Sequence, residues 1–187
     1  PIVEHVIDVY KKGGVDNIIF CIGYKGEKIR THLNDDSNSY QFCDSGEDAS
    51  MLFRLYQARK LIKSKRIIVA YCDTIIDFSP DEILKHHAEL KVSATIVTAS
   101  VINPFGLVGV DANQKVKVFE EKPRQIYFIG TFVLEYDAFD LIEPEMLELP
   151  DGEGLISFFH KLISLGQLGA YEHKGMQITF NTEKELE

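Results

Sequence analysis

The chain of 187 residues is short of several things, and each shortage narrows the reading. Basic residues are outnumbered, 20 Lys and Arg against 29 Asp and Glu, for a formal net charge of −9. That sign argues against nonspecific nucleic-acid binding, which needs a basic face against phosphates. It leaves room for a small phosphorylated ligand, because one metal ion and a few lysines reverse the local sign. No apolar run reaches membrane-spanning length and no signal peptide is read, so no membrane partner is expected. Cysteine is scarce: Cys21, Cys43 and Cys72 are an odd number without metal-ligand spacing. Cys21 and Cys72 fall in strand-like apolar runs, where a free buried thiol is the common case, and a reducing cytoplasm is expected. The histidines show no metal spacing. His86 and His87 are neighbours on one expected helix, point to different faces, and read as surface or partly buried residues. Ser, Cys and His form no nucleophile signature. Low-complexity tracts, internal repeats and a dividing linker are all missing, so residues 1–187 read as a single domain with one sizeable core.

What is present alternates between two periods. Ile2, Val6, Val9 and Tyr10 recur at helical spacing up to Gly13-Gly14, and Val15 to Ile22 reads as a strand. A helix is expected over Glu27 to Leu33, a polar loop over Asp35 to Ser39 and a short strand over Tyr40 to Cys43. Asp48 to Ile62 reads as a helix with Met51, Leu52, Leu55, Ala58 and Leu61 on one face. Pro80 sits in the first turn of a helix to Leu90, with Ser79 as its N-cap, and Ser93 to Val101 is a β-branched strand. Helix and strand in alternation predict βαβ units. Further on, Gly106 to Val110 and Lys115 to Phe119 flank a hairpin turn at Asp111-Ala112-Asn113-Gln114. Ile126 to Leu134, Leu168 to Tyr171 and Gln177 to Phe180 read as strands. Gly154 to Leu165 reads as a helix, and Thr182 as the cap of a last one. The expected architecture is a three-layer α/β/α, Rossmann-like domain with a mixed, mostly parallel sheet.

One run stands out. Ile67-Ile68-Val69-Ala70 reads as a strand buried on both faces, and Tyr71-Cys72-Asp73-Thr74 follows it. Open α/β sheets bind ligands outside the carboxyl ends of their strands. Asp73 is therefore placed to hold a metal ion or a ligand hydroxyl, or else is an ordinary turn or N-cap aspartate. The chain also opens directly on a helix. A doubly wound sheet normally starts with a central strand and its phosphate loop, so upstream residues are expected and the domain reads as N-terminally incomplete.

Seven segments in order resemble the sugar-1-phosphate nucleotidyltransferases (nucleoside-diphosphate-sugar pyrophosphorylases). They are Pro1-Ile2-Val3-Glu4-His5-Val6; Gly13-Gly14-Val15-Asp16-Asn17-Ile18-Ile19 with Gly23-Tyr24; Tyr71-Cys72-Asp73-Thr74; Phe105-Gly106-Leu107-Val108; Phe119-Glu120-Glu121-Lys122-Pro123; the strand from Tyr127 to Glu135; and Asn181-Thr182-Glu183. The resemblance implies transfer of a nucleotidyl group from a nucleoside triphosphate to a sugar 1-phosphate, with Mg²⁺ and in a homo-oligomer. It implies Asp73 as the Mg²⁺ ligand, Lys122 on the sugar phosphate, Glu121 on sugar hydroxyls, and Gly106 and Gly130 as places where the sugar approaches the backbone. Asp44-Ser45-Gly46-Glu47-Asp48 through Arg54 resembles the nucleotide stretch of the glucose-1-phosphate cytidylyltransferase branch, which implies that Ser45 and Arg54 touch nucleotide or phosphate. An N-capped helix with a surface arginine reads equally well from the same residues.

The chain departs from the family pattern in three ways. The Gly-rich triphosphate signature is absent. Thr179 stands where the second metal aspartate is expected, and a neutral hydroxyl is a poor ligand for a hard divalent cation. Cys72 replaces the usual glycine before the aspartate. These departures support an alternative, a catalytically weak pyrophosphorylase-like regulatory or binding domain. A related glycosyltransferase is disfavoured, because Asp73-Thr74-Ile75 is not an Asp-x-Asp motif.

Overall fold

The computed structural model describes residues 1–33 and 40–180. The loop expected over Asp35 to Ser39, the Asn181-Thr182-Glu183 motif and the helix capped by Thr182 lie outside the described residues. Helix α1 (Ile2–Lys12) buries Val6 and Ile7. Strand β1 (Ile19–Ile22) starts later than the apolar run suggests, because the Val15 amide still bonds back to the Tyr10 carbonyl at 3.0 Å and the chain is finishing the helix end. Helix α2 (Gly26–Leu33), strand β2 (Gln41–Asp44) and helix α3 (Met51–Ala58) follow. The Ser50 hydroxyl caps α3 by accepting from the Phe53 amide. Strand β3 (Arg66–Ala70) leads to a short strand missed by pattern, β4 (Thr74–Ile76). Helix α4 (Pro80–Leu90) has Pro80 in its first turn as expected, but Ser79 makes no side-chain cap bond. Strands β5 (Ala94–Ile102), β6 (Leu107–Val110), β7 (Val116–Glu120) and β8 (Arg124–Glu135) come next. Helices α5 (Pro144–Leu147) and α6 (Glu153–Ser164) precede β9 (Leu168–His173) and β10 (Gln177–Thr179).

The main sheet has the order β3-β8-β5-β9 and is mixed. Helices α3 and α6 cover one face, where Leu52, Leu55, Phe158 and Leu162 meet Phe132 and Leu134. Ile83 of α4 covers the other face against Val97, Ala99, Ile129 and Val133. Alternation along β8 sends Phe132 and Leu134 one way and Val133 the other. Truncating a fully buried ring such as Phe132 would cost about 3–5 kcal/mol. Helix–sheet–helix layering is thus as expected, but the pairing is less parallel than expected. β8 runs antiparallel to both β3 and β5; only β5–β9 in this sheet, and the separate pair β1–β2, are parallel. The reason is local: β5 returns through the β6–β7 hairpin straight into β8, and a direct return can only be antiparallel.

Three burial expectations are corrected. β3 is half-buried along its whole length, because among the described residues only β8 pairs with it. Cys43 is buried, but Cys21 and Cys72 reach solvent: β1 turns Phe20 and Ile22 inward and Cys21 outward, and Cys72 lies in the turn after β3. His87 is also not a surface residue. It is 1% exposed and ties α4 to the sheet, with Nδ1 2.7 Å from the Thr95 hydroxyl and Nε2 3.1 Å from Glu135 Oε1. The Glu135 carboxylate also pairs with Arg66. A carboxylate only accepts, so Nε2 carries the proton and Nδ1 accepts from Thr95.

Candidate functional site

The Asp73 segment is built by three strands. β3 ends at Ala70, and the Tyr71 amide donates to the Gly130 carbonyl of β8 at 3.0 Å. The chain then turns through Cys72 and Asp73 into β4, which pairs antiparallel with β10 and sets Thr74 opposite Thr179. The Phe180 amide donates to the Asp73 carbonyl at 2.9 Å, so the turn is held by β8 at Tyr71 and by Phe180 at Asp73. The Asp73 side chain is exposed. Thr74 donates its hydroxyl to Asp73 Oδ1 at 3.1 Å. The Thr179 hydroxyl stands 3.1 Å from that of Thr74. Thr74 has given its only proton to the carboxylate, so Thr179 must be the donor to Thr74. A directed relay therefore runs Thr179 to Thr74 to Asp73, and the Thr179 lone pairs are left to face outward.

This donor set bears on Mg²⁺. No cluster of three or more His, Cys, Asp or Glu side chains suited to a metal is found among the described residues. One carboxylate with neighbouring hydroxyl oxygens is nevertheless a hard-oxygen set, and Mg²⁺ is commonly held by one or two carboxylates together with substrate phosphates and water. The residues fit a metal that arrives with its substrate rather than one caged by protein.

Two tyrosines frame the segment. Tyr71 has its phenol pushed above the usual range by burial, then by the charges of Asp73 and Asp151. Tyr10 of α1, hydrogen-bonded to Thr131, is pushed up to about 12 by burial. Both stay neutral at physiological pH. Tyr71 falls inside the Tyr71-Cys72-Asp73-Thr74 motif and Tyr10 on the apolar face of α1, but neither reads as a site residue from the sequence, because nothing in the local pattern places them beside Asp73.

The other expected site residues fall into separate groups. Gly106 precedes β6, and a Cβ built on it would stand 3.4 Å from Phe119 Cζ and 3.5 Å from Glu121 Oε2. The hairpin thus brings Gly106 and Glu121 together. Lys122 follows in a left-handed turn conformation (φ 49°), exposed and without an ion pair among the described residues. Gly130 has φ 77°, and the space where its Cβ would project is filled by Tyr71, whose ring would come within 2.9 Å. The close approach that Gly130 permits is therefore made by a side chain of the protein. Ser45 lies just past β2, its Oγ 3.9 Å from Cys43 Sγ. Arg54 is half-buried and engaged with backbone: Nε donates to Ala49 O at 2.8 Å, Nη1 to Ile22 O at 2.7 Å and Nη2 to Glu47 O at 2.8 Å.

The model of the family "Nucleotidyl transferase" matches residues 1–174. The chain belongs to the nucleotidyl transferase family. Among curated relatives of this family, it is 26% identical over 211 residues to the "Probable glucose-1-phosphate cytidylyltransferase" of Bacillus subtilis (strain 168), covering 100% of this chain and 81% of that protein. It is 23% identical over 203 residues to the glucose-1-phosphate cytidylyltransferase of Salmonella typhi, covering 94% and 77%. Among solved structures it superposes with a TM-score of 0.74 and 19% identity on a Bacillus anthracis protein, provisionally named a glucose-1-phosphate thymidylyltransferase and solved in complex with a sucrose. That match covers 100% of this chain and 79% of the other. HddC from Yersinia pseudotuberculosis superposes with a TM-score of 0.69 at 18% identity. At these identities the structural likenesses establish the fold. Among the described residues, no helix of this nucleotidyl transferase is long and apolar enough to cross a membrane.

Proposed function

We propose that the protein transfers a nucleotidyl group from a nucleoside triphosphate to a sugar 1-phosphate, giving a nucleotide sugar and pyrophosphate. The family match across residues 1–174 carries this reading. It is supported by the curated cytidylyltransferase relatives, which also favour cytidine as the base. In the reaction a phosphate oxygen of the sugar 1-phosphate attacks the α-phosphorus in line, a new P–O bond forms, and the bond to pyrophosphate breaks. Such chemistry asks the protein for position and charge rather than a covalent intermediate.

In this proposal Asp73 holds Mg²⁺, which when bound neutralises charge on the reacting phosphates. Thr74 fixes the orientation of the Asp73 carboxylate through its hydrogen bond, and Thr179 fixes Thr74. Lys122, exposed and without an ion pair among the described residues, meets the sugar phosphate as a point charge. Glu121 accepts from sugar hydroxyls beside Gly106. Ser45 stands on the nucleotide side. The reading also includes a cytoplasmic homo-oligomer. The three free thiols support the compartment. The β6–β7 hairpin, which exposes Leu107, Val108, Val118 and Phe119 over its two sides, supplies apolar surface for a second copy.

The test is pyrophosphate release with Mg²⁺, offering each nucleoside triphosphate with a panel of sugar 1-phosphates. Release that requires one base and one sugar phosphate is the expected result. One observation favours a second reading: strand pairing sets the neutral Thr179 opposite Thr74, and no metal-suited cluster of three or more His, Cys, Asp or Glu forms at Asp73 among the described residues, as a catalytically weak regulatory or binding domain would have it. Nucleotide-sugar binding without release under any pairing would favour that reading.

A further inference from the structure

Arg54 is held in a way that a ligand-binding arginine is not. It lies in the first turn of α3, and its Nε, Nη1 and Nη2 each donate to a different backbone carbonyl at 2.7–2.8 Å. Two of those carbonyls, of Glu47 and Ala49, belong to the loop that follows β2. The third, of Ile22, is the last residue of β1. β1 and β2 are parallel, with Ile22 opposite Asp44, so both strands end on the same edge. Outside the carboxyl ends of such strands is where open α/β sheets take their ligands. A planar fork spreads its donors over three nitrogens in fixed directions and meets three separated carbonyls at once; an ammonium concentrates its donors on a single nitrogen.

Gly23 belongs to the same device. A Cβ built on it would lie 2.1 Å from Arg54 Nη1 and 2.5 Å from Nη2, so the guanidinium stacks directly on the Gly23 backbone. Gly23 in turn accepts the Gly26 amide at 2.8 Å, closing the turn into α2. The loop on the other side carries its own local brace, the Gly46 amide donating to Asp44 Oδ1 at 3.0 Å with Gly46 at φ 90°. Beyond the Ile22–Asp44 strand pair, the guanidinium supplies the bonds in this set that join residues 45–49 to the end of β1.

We infer that Arg54 is a positioning residue: its guanidinium, seated on Gly23, clamps the residue 44–49 loop to the end of β1 and so presents Ser45 and the neighbouring backbone to the nucleotide, without itself meeting the phosphates. This rests on the nucleotidyl-transfer reading for what the loop binds, but not for the clamp itself.

Two substitutions separate the clamp from a direct charge contact. Arg54→Lys keeps the positive charge and loses the fork. Gly23→Ala keeps the guanidinium and evicts it from its seat. Under the clamp, both raise KM for the nucleoside triphosphate by about tenfold or more, leave KM for the sugar 1-phosphate unchanged, and change kcat little. Amide hydrogen exchange over residues 44–50, measured on ligand-free protein, speeds up in both while exchange in α6 does not change. This second readout needs no turnover, so it tests the clamp even if pyrophosphate release fails and the functional reading falls. Should Gly23→Ala not fold, exchange in Arg54→Lys decides. Wild-type KM and wild-type exchange in Arg54→Lys would overturn the clamp. So would a Gly23→Ala protein that folds and binds nucleotide normally.

Discussion

The hydroxyls of Thr74 and Thr179 stand 3.1 Å apart across the β4–β10 pair, and the Thr74 hydroxyl reaches on to Asp73. One carboxylate is thus oriented by two neutral groups, at the place where the sequence pattern leads one to expect a second carboxylate. With a single negative charge, metal affinity has to come largely from the phosphates of the substrate. Replacing Thr179→Asp should then lower the Mg²⁺ concentration for half-maximal rate by about tenfold. In a melt without substrate, Mg²⁺ should stabilise this variant more than the parent, because two adjacent carboxylates repel until a cation joins them. Equal Mg²⁺ dependence in the two proteins would show that Thr179 does not face the metal.

Asp73→Ala removes the only carboxylate of the relay. Turnover should fall by about 100-fold or more, while the thermal midpoint stays near that of the parent, since the side chain is exposed. Paired pyrophosphate-release and melting measurements check this. Unchanged turnover would sink the assignment of Asp73 as the metal ligand.

Gly130→Ala tests a packing claim. The left-handed backbone penalises a Cβ by about 1–2 kcal/mol, and the collision with Tyr71 at 2.9 Å adds about 1–3 kcal/mol of overpacking. Urea unfolding should show the total, about 2–5 kcal/mol. In a Tyr71→Ala background the cost should shrink to the backbone part, and the difference is the coupling between the two residues. Additive effects would mean that the ring does not occupy that space.

His87 predicts a pH dependence of stability. Burial holds its pKa below 6.5, outweighing the hydrogen bond that Nε2–H donates to Glu135, which raises it; the charge of Arg66 lowers it further and that of His86 adds a little. Below about pH 6.5 the unfolded chain therefore binds a proton that the folded chain resists. Stability should be complete above that pH and fall as pH drops toward the depressed folded value. His87→Gln, which keeps one hydrogen bond but cannot titrate, should flatten the melting temperature between about pH 7 and pH 5 relative to the parent. A slope unchanged by the substitution would assign the effect elsewhere.

Much of the local order was legible in the residues themselves. The 3.6-residue period and Gly13 delimit α1, Pro80 starts α4, and the polar turn at Asp111-Ala112-Asn113-Gln114 marks the β6–β7 hairpin, because each of these is decided by backbone preference within a few residues. The position of Asp73 just past a strand end was legible for the same reason; Thr179 was legible through the family resemblance, and the β4–β10 pairing is what sets it opposite Thr74.

Tertiary structure alone decided the rest. Whether β8 runs parallel or antiparallel depends on which strand it returns to, and no residue in it encodes that. β4 is three residues long, too short for a period, and exists because β10 pairs with it. His87 reads like its half-buried neighbour His86 until α4 lies on the sheet and Thr95 and Glu135 meet its ring. Arg54 reads as a free cation until three carbonyls from two strand ends converge on it. Sequence determines what a residue is able to bond; which groups arrive within 3 Å of it depends on segments distant along the chain, and only the packed fold brings them there.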